Sequence, residues 1–349
     1  MKLKIKDIAK KAGVSTTAVS FALNGKAGIS DETRKKILDI VKAEGYTTNA
    51  LVKTGGMESD GSLMESKLIM LLCPVSNLGE EDSWNVSLSF YEIMKEIEKS
   101  INEYHHYLFF KSVQIQEDFQ DKLKEIIETY RIRGIIVLAT DLTSKEMKMI
   151  CDVPVPVVAI DRYFRDISVD CVSFDNFAGA CEAVRYLIGL GHTKIGYICS
   201  AVDSENFKER RAGYEATLRE NGIEPEKAYM IRVDNNGQEI ETCLMEELGR
   251  RAKLPTAFFT ESDTLAVETI KCLQQLKIDV PGEVSVVGFD NIVVANLVTP
   301  ELTTMSVPWS DLADLAVGRL IDKMEEEQGR NLKMKIEVKL IERNSCQKR

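Results

Sequence analysis

Histidine is scarce in this 349-residue chain, at His105, His106 and His192. The first two are neighbours at the start of a strand-like run, and neighbours on a strand point to opposite faces. No metal centre is expected from them. Tryptophan is held to two residues, and no stretch approaches the roughly 18 consecutive apolar residues of a membrane span. The opening residues, Met1-Lys2-Leu3-Lys4-Ile5-Lys6-Asp7, carry charge where an export signal needs its apolar stretch, so a cytoplasmic, nucleoid-associated protein is expected. The eight cysteines are scattered without a CxxC pair. They read as buried free thiols of a reducing compartment rather than as a disulfide framework. Phosphate loops are missing too. Gly189-Leu190-Gly191 begins like a dinucleotide fingerprint, but Lys194 stands where the third glycine belongs, and no GxxxxGK[ST] occurs. No Ser/His/Asp or Cys/His set stands out. Neither an enzyme nor a cofactor is expected.

Charge is present, and it is unevenly placed. Residues 1–56 hold 11 Lys+Arg against 5 Asp+Glu, a net of +6, whereas residues 57–349 hold 34 against 50, a net of −16. A basic segment on an acidic body fits a nucleic-acid contact confined to one end. An ordinary solvated helical face would show the same excess.

Residues 1–46 read as three short helices. Ile5, Ile8, Ala9 and Ala12 form one stripe ended by Gly13. Ser15 or Thr16 can cap a second helix, which stops at Asn24-Gly25. Ser30 caps a third, with Asp31 and Glu32 in its first turn. Residues 54–66 are rich in Gly, Ser and acids and read as a linker. From Lys67 onward, apolar and often β-branched runs (67–73, 107–110, 134–139, 155–160, 194–199, 257–260, 284–289) alternate with helix-period segments near 87–103, 118–130, 176–190, 206–222, 238–250 and 262–275. That alternation predicts two doubly wound lobes of mostly parallel sheet, with a ligand cleft at the carboxyl ends of the strands.

The opening helices carry the spacing of a helix-turn-helix. Ala9 is small enough for a close crossing, Gly13 tolerates the turn, and Val19 anchors the second helix. The start of that helix then enters the major groove. Thr16 and Thr17 can reach base edges or a thymine methyl, Ser15 or Ser20 can reach phosphate, and lysines such as Lys6 and Lys10 add sequence-independent attraction.

The fuller string Lys6-Asp7-Ile8-Ala9, Ala12-Gly13-Val14-Ser15, Ala18-Val19-Ser20, Leu23-Asn24-Gly25, Ile29-Ser30-Asp31-Glu32-Thr33-Arg34 and Gly45-Tyr46 resembles the lactose-repressor (LacI-type) family. The resemblance runs on through Ala159-Ile160-Asp161-Arg162, Asp175-Asn176, Leu190-Gly191-His192-Thr193-Lys194-Ile195, Arg210-Arg211-Ala212-Gly213-Tyr214, Val284–Asp290 and Thr299–Thr304. It implies a small all-α helix-turn-helix domain at 1–53, a hinge at 54–66 and an α/β body at 67–349 like the sugar-binding periplasmic proteins. The body would comprise an N-lobe (67–163 and 307–334) and a C-lobe (164–306 and 335–343). The implied function is a repressor of carbohydrate-metabolism genes, bound as a homodimer to a near-palindromic operator and controlled by a small effector such as a sugar. An activator, or a regulator that binds DNA only with effector present, is equally compatible. A solute-binding protein delivering sugar to a transporter would have no use for the basic helices. The family's tetramerising zipper needs apolar heptads, and residues 344–349 offer none.

On the DNA side the resemblance assigns Ser15, Thr16, Thr17, Ser20, Phe21, Lys6, Asn24 and Asn49. Phe21 stands where relatives often place Arg, so the bidentate guanine contact is not available; the ring either meets a thymine methyl or joins the core. Gly55-Gly56 stands where a hinge leucine usually wedges open the minor groove, which puts central kinking in doubt. For the effector the resemblance implies Arg210 and Asp290, facing each other across the cleft and holding adjacent hydroxyls. It adds Asp161, Ser262 and Asp263, with Asn commoner among relatives at position 262. Phe90 and Phe174 either face the ligand or pack in the core. Residues 75–85 form an insertion expected at the cleft mouth, where Trp84 can stack on a sugar.

Overall fold

Two helices open the chain, α1 over Ile5–Ala12 and α2 over Thr16–Leu23. The computed structural model describes residues 5–23, 29–30, 33–37, 40, 67–75, 88–201, 204–233, 240–251, 253–325 and 329–349. The chain separates into two units, Met1–Ser66 and Lys67–Arg349. In the first, Ile8, Ala9, Ala12, Val19, Ala22 and Ile37 bury one small core. Gly13 takes φ +70° between α1 and α2, with open space where a side chain would stand. A left-handed turn residue of this kind lets the second helix leave at a steep angle without a Cβ penalty. Ser15 caps α2, accepting from the amide of Ala18 at 3.1 Å. Ser30 likewise accepts from Thr33 at 3.2 Å, opening the helical stretch 33–37. The Arg34 guanidinium donates to the Phe21 carbonyl at 3.1 Å, placing a cation on the last turn of α2 where the helix dipole favours it.

Among the described residues of the second unit, twelve strands form two six-stranded sheets. The first contains β1 (Leu68–Val75), β2 (Tyr107–Gln114), β3 (Gly134–Leu138), β4 (Val157–Ile160), β5 (Asp170–Phe174) and β11 (Lys333–Ile336), in the order β11-β5-β4-β3-β1-β2. The second contains β6 (Ile195–Ser200), β7 (Met230–Val233), β8 (Ala257–Thr260), β9 (Ser285–Asp290), β10 (Thr303–Ser306) and β12 (Lys339–Ile341), in the order β12-β10-β9-β8-β6-β7. The two orders correspond strand for strand. All pairings are parallel except β10 with β12. The intervening helices are α3 (Leu88–Glu103), α4 (Phe119–Tyr130), α5 (Ser144–Cys151), α6 (Asn176–Gly189), α7 (Glu205–Glu220), α8 (Ile240–Gly249), α9 (Asp263–Gln275) and α10 (Trp309–Glu325).

Both faces of each sheet are covered, which is why the strands read as continuous apolar runs rather than alternations. On β1, Ile69 and Leu71 join the core under α3 and α10, while Met70 and Leu72 join the core under α4 and α5. The core on the α3 and α10 side continues through Phe174 into the second lobe, to Tyr197, Phe259 and Phe289.

The division between lobes differs from the sequence expectation. Residues 164–175 were expected in the C-lobe, yet β5 pairs with β4 in the first sheet. The chain crosses to the second lobe only after Phe174, through α6, and returns after Ser306, through α10. It crosses again between Ile336 and Lys339, so β11 extends the N-lobe sheet two residues past the expected 334. The physical reason is Asp170, a charged residue at the start of β5. It is fully buried because Arg319 and Lys323 of α10 pair with it and the Leu332 amide donates to it at 2.8 Å.

α6 and α7 cross at Gly213. A Cβ there would stand 2.5 Å from the Phe177 carbonyl and 2.9 Å from the Ala180 methyl. Gly213→Ala is therefore expected to destabilise the protein by about 1–3 kcal/mol, read as a lowered thermal midpoint, because backbone rather than a movable side-chain tip blocks the space.

Candidate functional site

A cavity of about 290 Å3 lies between the two sheets at the carboxyl ends of their strands. Its first-lobe wall comes from Phe90 on α3, Leu138, Thr140 and Asp141 after β3, Asp161 after β4, Phe174 at the end of β5 and Trp309 at the start of α10. Its second-lobe wall comes from Ser204, Asn206, Phe207 and Arg210 around the start of α7, Ser262 and Thr264 around the start of α9, and Asp290 at the end of β9. Asp161 and Asp290 occupy corresponding strand ends, and both have left-handed backbone, at φ 67° and 114°. Non-glycine residues held in that region cost free energy and cluster at functional sites.

Arg210 is the centre of the second-lobe wall, with 5% of its surface exposed. Its Nη2 lies 3.0 Å from the Asp290 carboxylate. Its Nε donates to Asn176 Oδ1 at 2.8 Å, and its Nη1 donates to the Glu261 carbonyl. The guanidinium stacks on Phe289, 3.7 Å from the ring centre. Arg210, Gly213, Tyr214 and Thr217 share the buried side of α7. Glycine there lets the helix come close, and the Tyr214 hydroxyl donates to the Ile195 carbonyl at 2.8 Å. The arginine is thereby held by its own helix as well as by its partners.

The carboxylates around this cation sit above their ordinary range. Burial pushes Asp161 up to about 6, with Asp290 and Asp141 adding to the rise and the Thr140 hydroxyl, which donates to it at 2.6 Å, opposing it. Burial likewise raises Asp290, against the pull of Arg210. Glu261, at the end of β8, is pushed by burial to about 7 although the Tyr197 hydroxyl and the Ser200 amide both donate to its carboxylate, at 2.9 and 2.8 Å.

Among the expected effector residues, Phe90, Asp161, Phe174, Arg210, Ser262 and Asp290 meet in this cavity. Two expectations are corrected. Arg210 and Asp290 do not face each other across the cleft; they are paired side by side on the second-lobe wall. Asp263 does not border the cavity. Its carboxylate is fully buried, accepting from the Ile292 amide at 2.9 Å and from the Thr304 hydroxyl, and burial raises it to about 8. Ser262 lines the cavity while capping α9, accepting from the Leu265 amide at 3.4 Å. Trp84 lies outside the described residues.

Sequence reasoning missed Thr140, Asp141, Ser204, Asn206, Phe207, Thr264 and Trp309 on the walls, and Asn176 behind Arg210. For Ser204 a signal existed: Ser followed by a helix-period run marks a helix start, and its hydroxyl caps α7 at 3.2 Å from the Phe207 amide. Trp309 meets Phe174 edge-on, with ring centres 5.0 Å apart.

In the first unit, Ser15 and Thr16 are exposed at the start of α2. Phe21 is half-buried and, among the described residues, is not one of those packed on the small core. Thr17 and Ser20 lie on α2 and Lys6 on α1. Asn24, Asn49 and the hinge residues 54–66 lie outside the described residues.

The sequence matches the model of the bacterial regulatory proteins of the lacI family over residues 4–49 and that of the periplasmic-binding-protein-like domain over residues 184–346. It is 29% identical to the HTH-type transcriptional regulator GalS of Salmonella typhimurium over 315 residues, covering 90% of this chain and 88% of the relative. It is 27% identical to the ribose operon repressor of Escherichia coli over 347 residues, covering 98% and 99%. The fold is shared with the lac repressor dimer bound to operator and the anti-inducer ONPF (TM-score 0.71, 20% identity, 99% of this chain and 100% of that one). It is also shared with the regulator CelR in complex with cellobiose (TM-score 0.70, 21% identity, 98% and 99%). The helix-turn-helix core, the two corresponding sheets and the matches along nearly the whole chain agree: this chain joins a helix-turn-helix domain of the bacterial lacI family to a periplasmic-binding-protein-like domain, the fold of the LacI-type regulators it resembles.

Proposed function

We infer that this chain is a sequence-specific transcriptional repressor whose affinity for its operator is set by a small sugar held between the two lobes. The observation that carries the reading is the joining of two sites on one chain. A capped helix on a basic segment presents Ser15 and Thr16 to solvent, and a polar, aromatic-edged cavity lies between two lobes. The relatives are named as regulators and repressors, GalS and the ribose operon repressor among them, rather than as enzymes. CelR is described with cellobiose, and a LacI family regulator from Enterococcus faecium with ribose. Residues 1–53 form the reading domain in this proposal and 54–66 the connection. The site of action is the cytoplasm, where the operator is.

The chain works as a homodimer in this reading. One reading helix covers a few base pairs, and tight binding combines two half-sites. Exposed apolar side chains offer two patches for a second copy: Tyr91 and Tyr107 with Phe110 around the edge strand β2, and Val293 with Leu297, which is 74% exposed, after β9.

Selection of bound sequences from a random DNA pool tests the proposal. A near-palindromic site is expected. Thr16→Ala, Thr17→Ala or Phe21→Ala should each cost about 1–3 kcal/mol on that site and shift the preference, while Lys6→Ala and Lys10→Ala should weaken all sequences alike. Equal loss on every sequence from the first group would remove α2 from the groove.

A further inference from the structure

Three carboxylates, Asp141, Asp161 and Asp290, border the interlobe cavity, against one cation among the described lining residues, Arg210. That cation is already engaged. Asp290 sits 3.0 Å from it, Asn176 and the Glu261 carbonyl take two more of its five N–H donors, and Phe289 covers its face. Behind it, Glu261 and Asp263 are buried. Asp161 has the Thr140 hydroxyl as its hydrogen-bond partner. Arg162 reaches Asp141 with its charge, but its Nη1 donates to the Leu142 carbonyl and it does not border the cavity. The starts of α7 and α9 bring the partial positive charge of helix N-termini, yet Ser204 and Ser262 already cap them.

A ligand entering this space therefore meets acceptors in excess of donors and no unpaired cation among the described residues. Hydroxyls supply the matching donors. A phosphate set about 5 Å from a carboxylate, at an effective dielectric near 20, loses about a hundredfold in affinity per charge pair. Resting on the sugar reading above, we propose that the cleft takes an unphosphorylated, hydroxyl-rich effector and rejects the phosphorylated form of the same molecule.

The test is calorimetric titration of the full chain with matched pairs: pentoses, hexoses and disaccharides, each beside its phosphate ester. Binding by a neutral member, with its phosphate ester about a hundredfold weaker, is the expected result. A phosphate ester that binds as tightly as its neutral partner, or tighter, overturns the inference and leaves the sugar reading standing. Silence in both arms sinks the sugar reading itself and this inference with it. Asp141→Asn combined with Asp161→Asn keeps the shape and removes two charges, and it should narrow the gap within a responding pair at least tenfold. An unchanged gap in a folded double variant would overturn the assignment of the exclusion to these carboxylates.

Discussion

Arg210→Ala is expected to abolish the effector response while leaving operator affinity at its ligand-free value. Three directional contacts and one aromatic face fix this side chain, which leaves two of its five N–H donors for a ligand on the second-lobe wall. Hydrogen bonds from a charged donor are worth about 1.5–3 kcal/mol each. Losing two of them to a ligand would weaken binding by two to four orders of magnitude. The loss also leaves Asp290 beside Asp161 with no partner, so each carboxylate takes up a proton more readily and accepts hydroxyl donors less well. Arg210→Lys keeps the charge but not the planar fork, and it should recover only a small part of the response. Operator binding by fluorescence anisotropy, with and without effector, reads all three proteins. A normal response from Arg210→Ala would take the residue out of the site. The α1 and α2 core contains no residue of this wall, which is why operator affinity itself should hold.

Asp170→Ala is expected to produce the largest loss of stability, about 3–5 kcal/mol, because removing the fully buried carboxylate leaves the half-buried Arg319 and Lys323 without their charge partner. Burial raises the Asp170 carboxyl, but the hydrogen bonds from Arg319, Lys323 and the Leu332 amide outweigh it and hold the group below its ordinary 3.8. The sign follows. A carboxyl depressed in the folded state contributes stability above its unfolded value and loses that contribution as pH falls through the folded one. Wild type and variant should therefore differ fully at neutral pH in urea unfolding, and converge below about pH 4. A gap that persists unchanged in strong acid would assign the loss to packing instead of charge.

The same residue marks where sequence reading stopped. The seven apolar runs expected as strands all form strands, because both faces of each sheet are buried and hydropathy alone reveals that. β5 has the sequence Asp-Cys-Val-Ser-Phe, and its leading charge disguised it. Its neutralising partners lie some 150 residues away, beyond any local pattern. α5 was passed over although Thr143 and Glu146 complete a capping box, a signal visible in the residues Thr-Ser-Lys-Glu. In the cavity, Arg210, Asp161 and Asp290 were legible because each stands in a motif of fixed spacing. Thr140, Asn206 and Trp309 follow no period, and only the meeting of two sheets brings them together. Asp263 shows the converse error: its motif marked it as a ligand residue, whereas the fold uses it to tie β9 and β10 to the start of α9.

The three passages between the lobes run beside one another. Phe174, before the first, pairs with Ile336, before the third, and Lys339, after the third, pairs with Ser306, before the second. Parallel tethers in a row resist twisting and sliding but yield to bending, so the easy relative motion of the lobes is a swing about the row. Asp161 stands on the first-lobe wall of the cavity and Asp290 on the second. A molecule that touches both fixes the swing angle, and occupancy becomes a shape that the rest of the chain can read.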